Sequence, residues 1–283
     1  MLWFNQMKSL RNDSRCLKKM KRLLPIIFLI FMSVKSFADF AIDINGECVS
    51  DIIQIIPKCN KVSQNPVILI GFAERDYQIF EALKNAKFCL VDNKGKKIKL
   101  EVLQLNKGFH SIAQIFLKSK KKLKRGKIVS IEINGLSLEN EKHKKFLKKV
   151  QSKKWEISFK KDKTSPYFQS DLKFNYENYL TSSASGHGVR GNVSFHDDNE
   201  YTFEHKGGVK NQIVLEVVDE NGNSYLTSTH GDLFWISDGM CGAAFELKQD
   251  AEYTFDIRLV DLSGNKSKEV KRIQFKTGNG SLH

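Results

Sequence analysis

Apolar residues at every second position restrict the fold of this chain more than any other feature. In Tyr253-Thr254-Phe255-Asp256-Ile257-Arg258-Leu259-Val260, the residues Tyr253, Phe255, Ile257 and Leu259 mostly alternate with polar ones. That period places one set of side chains on one face of a sheet, where a core can cover it. Ile98, Leu100 and Val102 alternate in the same way with Lys99 and Glu101. Val67-Ile68-Leu69-Ile70-Gly71-Phe72 is an apolar run introduced by Asn65-Pro66, and Ile213-Val214-Leu215-Glu216-Val217-Val218 is a second such run. Turn residues follow where hairpins need them: Asp92-Asn93-Lys94-Gly95, Asp219-Glu220-Asn221-Gly222-Asn223 and Asp261-Leu262-Ser263-Gly264-Asn265. Short strands with regular turn signals predict an all-β fold of the sandwich type.

Two patches break the alternation. Residues 77–86 suit a short helix, and residues 139–151, with Phe146, Leu147 and Val150 on one side, suit an amphipathic helix or an ordered loop. A polar stretch, Lys160-Lys161-Asp162-Lys163-Thr164-Ser165-Pro166, marks a boundary, because Pro166 stops a strand from continuing. The predicted organisation is a basic sandwich over 39–163 and a mildly acidic one over 164–283.

Residues 1–38 read as a cleaved secretory signal. Lys18, Lys19, Lys21 and Arg22 precede an apolar run over residues 23–32, and Ser36-Phe37-Ala38 offers small residues for cleavage. The run is shorter than the roughly 20 residues of a membrane span, so no anchor is expected after cleavage. Export sets the expected compartment: periplasm, outer surface or medium. The 283-residue chain has a net charge of +14. Residues 39–163 hold 27 basic and 14 acidic side chains, whereas residues 164–283 hold 11 and 17.

In an oxidising compartment the four cysteines beyond residue 38 suggest disulfides. Cys48 and Cys59, close in sequence, are the preferred pair. Cys89 and Cys241 either join across the two domains or stay as buried thiols. There is no CxxC pair of the kind that zinc sites use.

The densest chemistry is cationic. Lys120, Lys121, Lys122, Lys124 and Arg125 fall in one connection, and Lys144, Lys145, Lys148 and Lys149 in the next. On one side of the molecule they would attract an anionic polymer or lipid headgroups. The same lysines also suit a solvated face that keeps edge strands apart. One arginine among so many lysines, with few aromatics between them, argues against specific nucleic-acid readout.

Elsewhere the signals are thin. His187, His196, Asp197, Asp198, Glu200, Glu204 and His205 cluster, with His230 and Asp232 later, but without the spacing of a known metal motif. The Asp219 and Asp261 turns offer oxygens for calcium, yet Asp and Asn serve turns equally well. Ser185-Gly186-His187-Gly188 is no triad, and Cys241 beside glycines suits a buried or bridged thiol. No catalytic residue, cofactor or metal is therefore assigned. An exported hydrolase or accessory subunit using the His/Asp region stays as the alternative.

The N-terminal part resembles the bacterial immunoglobulin-like domains of exported surface-layer and adhesin-type proteins. The matching pieces are Asn65-Pro66 to Phe72, Phe88 to Ile98, Leu123-Lys124-Arg125-Gly126, Ile131-Glu132-Ile133-Asn134-Gly135-Leu136 and Trp155-Glu156-Ile157-Ser158-Phe159. Asp162-Lys163-Thr164-Ser165-Pro166 is similar to the joint between tandem copies, and Val260 to Ser267 resembles a closing hairpin of a second module. Residues 39–60 and 168–210 do not match cleanly. The resemblance implies two tandem Ig-like β-sandwiches with a binding, adhesive or structural role in the cell envelope, toward an anionic envelope polymer or another surface protein. It carries no catalytic residues.

Overall fold

The structure, a computed structural model, describes residues 53–73, 77–109, 111–180, 185–197, 202–205, 208–211, 213–229, 233–239 and 243–278. All lie in one compact unit of the chain, Phe40–His283. The expected signal over 1–38 lies outside the described residues.

The first half runs β1 (Ile53–Ile56), β2 (Lys61–Val62), β3 (Val67–Ala73), α1 (Gln78–Lys84), β4 (Lys87–Asp92), β5 (Lys97–Lys107) and β6 (Ile112–Ser119). It continues with β7 (Ile128–Asn134), α2 (Glu141–Ser152) and β8 (Lys154–Ile157). Hydrogen-bonded neighbours follow the order β1-β3-β6-β5-β4-β7-β8-β2. β5 joins two ladders: Lys97–Lys99 pair with β4, and Leu100–Lys107 pair with β6, with a register shift between Val102 and Gln104. Such a bulge bends a strand and increases its twist. Side chains from both ladders, Ile70 and Ile115 from one and Leu90 and Ile131 from the other, meet in a single core.

Both expected helices form against that core. In α2 the buried residues are His143, Phe146, Leu147 and Val150, which recur at helical spacing on one face. Asn140 caps the helix, its side chain accepting from the Lys142 and His143 amides. Phe146 meets Phe72 edge-on, with ring centroids 5.3 Å apart. Burying a side chain of this size stabilises by about 2–3 kcal/mol. Trp155, 1% exposed, donates its indole N–H to the Pro57 carbonyl at 3.1 Å.

The second half contains β9 (Tyr167–Phe168), β10 (Lys173–Leu180), β11 (Ser185–Asn192), β12 (Phe195–His196), β13 (Thr202–His205) and β14 (Gly208–Asn211). β15 (Val214–Asp219), β16 (Ser224–Ser228), β17 (Leu233–Gly239), β18 (Glu252–Val260) and β19 (Lys271–Lys276) complete it. One sheet has the order β16-β15-β18-β19 and another β10-β11-β17. Val189, Phe234 and Ile236 from the second sheet share a core with Leu215, Phe255, Ile257 and Ile273 from the first. The all-β, sandwich-like expectation is met.

The three Asp-x-x-Gly turns form by one device. In each, an aspartate Oδ1 accepts from the amides two and four residues on: Lys94 and Lys96 for Asp92, Asn221 and Asn223 for Asp219, Ser263 and Asn265 for Asp261. The glycines sit at φ between 77° and 80°, where a Cβ is disfavoured. These aspartates serve turn formation.

A third apolar cluster lies between the halves. Ile56, Val67, Leu69 and Phe116 from the first half pack with Val214, Leu226, Val260 and Leu262 from the second. Polar contacts frame it. The Val67 amide donates to the Leu262 carbonyl at 2.9 Å. Gln114, 3% exposed, accepts from the Leu226 amide at 2.7 Å and donates to the Leu226 carbonyl at 2.9 Å. Its amide group thus takes the place of a neighbouring strand along the outer edge of β16. Farther along, the Phe109 amide donates to the Ala244 carbonyl at 3.2 Å, tying the tip of the β5–β6 hairpin to the second half.

Candidate anion-binding surface

The two basic tracts stand on rigid supports. Residues 120–125 connect β6 to β7, and Leu123, 1% exposed, pins the connection into the first core. Its amide donates to the Gln64 carbonyl, and its carbonyl accepts from Gln64 Nε2, each at 2.8 Å. The Gly126 amide reaches the Ile157 carbonyl, and Arg125 Nε donates to the Ser158 carbonyl at 3.0 Å. With Leu123 turned inward, Lys120, Lys121, Lys122, Lys124 and Arg125 are all exposed.

Lys144, Lys145, Lys148 and Lys149 are exposed on α2, opposite its buried face. Lys144 and Lys148, and likewise Lys145 and Lys149, are one turn apart, about 6 Å along the axis. β8 leads from the end of α2 to the Ile157–Gly126 contact. The four residues of β8, about 13 Å of extended chain, therefore lie between the end of α2 and that contact. The sequence-predicted residues stand on neighbouring supports of one half; the structure does not merge them into a single closed site.

Few carboxylates answer this charge. Lys120 lies 3.9 Å from Glu101, and Lys144 lies 3.1 Å from Glu141 one turn earlier, both pairs well exposed. Pairs of that kind stabilise by less than about 1 kcal/mol. Among the described residues, Lys121, Lys122, Lys124, Lys148 and Lys149 have no carboxylate within 4.0 Å. Lys153, next in the sequence, is used internally: its ammonium donates to the Lys58 carbonyl and to Asn60 Oδ1.

The cysteine expectations divide. Cys59 carries a free thiol that donates to the Lys61 carbonyl at 3.3 Å, and burial pushes its pKa up. Its expected partner, Cys48, lies outside the described residues. Cys89 is a buried free thiol, in line with the second of its two expected states, and burial raises its pKa as well. Cys241 lies outside the described residues.

In the histidine-rich region, His196 on β12 packs its ring 5.2 Å from that of Tyr167 on β9. Asp198, Glu200, His230 and Asp232 lie outside the described residues; His187 falls on β11, and Glu204 and His205 on β13. Among the described residues no three His, Cys, Asp or Glu side chains gather at one point. None of the described helices is long and apolar enough to cross a membrane.

Two features escape the sequence pattern. A cleft of about 550 Å³ opens where the hairpin tip meets the second half, with Phe109, Glu246, Lys248 and Tyr253 among its walls. The other is a buried polar cluster at the joint, built from Ser63, Asn65, Asp162, Asp261 and Ser263. Its one sequence signal is Leu262, an apolar residue inside a turn whose two counterparts are polar throughout.

No family model matches the chain, and no curated protein matches it. Among solved structures, a pullulanase from Anoxybacillus sp. LM18-11 complexed with maltotriose is similar over 76% of this chain and 25% of its own, at 8% identity and a TM-score of 0.24. Dimeric latent PorU from Porphyromonas gingivalis is similar over 81% of this chain and 20% of its own, at 8% identity and a TM-score of 0.27. A DUF4785 family protein from Legionella pneumophila is similar over 80% and 55%, at 11% identity and a TM-score of 0.21. The chain thus spans about a quarter of the pullulanase it matches. Likenesses of this size assign neither fold nor activity.

Proposed function

We propose that the protein is an exported binding protein of the cell envelope, made of two Ig-like sandwiches, whose basic surface holds an anionic polymer. The observation that supports this reading is the exposure of all nine predicted cations on two pinned elements, five of them without a carboxylate partner among the described residues. Lysine is a compact, strongly hydrated charge without the planar fork of arginine. A lysine surface therefore favours a flexible polyanion held by counterion release over a ligand recognised group by group.

The test is retention on immobilised heparin at rising salt, beside binding to vesicles of anionic lipid. Retention at about 50 mM salt that falls steeply by about 200 mM is expected. Charge reversal at Lys148 and Lys149 should shallow the salt dependence, and reversal at Lys122 and Lys124 in addition should abolish retention. No retention of the wild-type protein at low ionic strength would refute the reading. Binding to vesicles without binding to heparin would replace the polymer with a membrane surface.

A further inference from the structure

The buried cluster at the joint has no part in the basic surface, and its chemistry is of another kind. Asp261 is fully buried and Asp162 is 8% exposed. Asn265 Nδ2 donates to both carboxylates, at 2.7 Å to Asp261 Oδ2 and 3.0 Å to Asp162 Oδ2. Asp261 Oδ1 accepts from the Ser263 and Asn265 amides, and Asp162 Oδ1 from the Thr164 amide, each at 2.8 Å. One amide nitrogen thus bridges the two carboxyl groups. Around them the first half supplies uncharged partners. Asn65 exchanges hydrogen bonds with the Asp162 backbone, and Ser63 Oγ lies 3.0 Å from Ser263 Oγ.

Among the described residues no Lys or Arg lies within 4.0 Å of the Asp261 carboxyl. Lys118 on β6 reaches toward Gly264, its Nζ 3.4 Å from the place a Cβ would take there. Lys161 and Lys163, flanking Asp162, are exposed. Lys266 is engaged by Glu216 on β15 at 2.7 Å, and Arg258 on β18 lies 4.0 Å from the same carboxylate. Two anions bridged by one amide in a buried site repel, whereas a proton on one of them lets the carboxyls join through an O–H···O⁻ bond.

We propose that Asp261 and Asp162 form a proton-held clasp between the two halves, closed while the Asp261 carboxyl carries a proton and loosened when that proton leaves. Burial, reinforced by the Asp162 carboxylate, pushes the Asp261 carboxyl from its usual 3.8 up to about 7. A carboxyl whose pKa is raised by folding contributes stability that is complete below its unfolded value, about pH 4, and that is lost as pH rises through about 7. The clasp is therefore tightest in mild acid and weakest above neutrality.

Hydrogen exchange tests it in the intact protein. The Val67 amide donates across the joint to Leu262, while amides of β7 lie within the first half and serve as the internal reference. Relative to that reference, opening at Val67 should increase by up to about tenfold per pH unit between about pH 5 and 7, the limit for release of one proton. Asp261→Asn, whose amide can donate toward Asp162 without titrating, should flatten this dependence. Should that variant fail to fold, Asp162→Asn should move the dependence to lower pH, because the carboxylate that reinforces burial is gone. Carboxyl NMR of the wild type gives an independent reading: one aspartate should titrate about 3 units above the ordinary range. A pH-independent Val67, an unchanged slope in the folded variant, or carboxyls that all titrate in the ordinary range would each overturn the proposal.

Discussion

Replacing Gln114 with alanine tests how the edge of β16 is sealed. The wild-type side chain satisfies both backbone groups of Leu226, a residue 3% exposed in the cluster between the halves. Alanine leaves a buried N–H and a buried C=O without partners. Each orphaned group costs about 1–3 kcal/mol, less where water can follow into the gap. A loss of about 2–4 kcal/mol is therefore expected for Gln114→Ala. Urea unfolding measures it, read with hydrogen exchange at Leu226, whose protection should fall by more than the global loss accounts for. Gln104→Ala is the control. Gln104 also crosses the joint, to Glu216 and Ser224, but at 3.3 and 3.5 Å and from a half-buried position. It should lose less than about 1 kcal/mol. A Gln114→Ala protein within about 0.5 kcal/mol of wild type, with Leu226 exchange unchanged, would refute the claim that this amide stands in for a strand.

Two further substitutions probe single positions. His143 is 8% exposed on the inner face of α2, and neither ring nitrogen has a hydrogen-bond partner among the described residues. His143→Leu should raise stability by about 1–2 kcal/mol in urea unfolding, and a loss would mean that the imidazole has a role the packing does not show. Gly264 and Gly222 share a φ of 80°, but a Cβ at Gly264 would lie 2.6 Å from Val67 Cγ1, whereas none lies within 4 Å at Gly222. Gly222→Ala should cost about 1 kcal/mol of backbone strain, and Gly264→Ala clearly more; equal losses would show that Val67 yields freely.

Local structure was legible because it depends on neighbours in sequence. Alternation located β18, the Asp-x-x-Gly signals located three turns, and the spacing of Phe146, Leu147 and Val150 gave the inner face of α2. The exposure of the nine cations was legible for the same reason, since lysine beside a periodic apolar face has nowhere else to go. What the halves do to each other was not. Asp219 and Asp261 stand in near-identical turns, yet one is half-buried and the other fully buried. The difference arises from Val67, Ser63 and Asn65, roughly 200 residues earlier in the chain, and no window of a dozen residues contains it. Leu262 alone hinted at it. Gln114 reads as a polar residue in an apolar strand; its role depends on the backbone of Leu226, which has no sequence signature at all.

The cluster shared by Val67, Leu69 and Phe116 with Val214, Leu226 and Val260 has a mechanical consequence. Modules strung on flexible joints swing independently, and under tension they give way one at a time. Here, pulling the halves apart must first expose apolar surface from both and break the Val67–Leu262 and Gln114–Leu226 bonds together. Contacts that must rupture in parallel resist force far better than the same contacts broken in series. Separating the halves therefore costs the apolar cluster and both sets of hydrogen bonds in a single step.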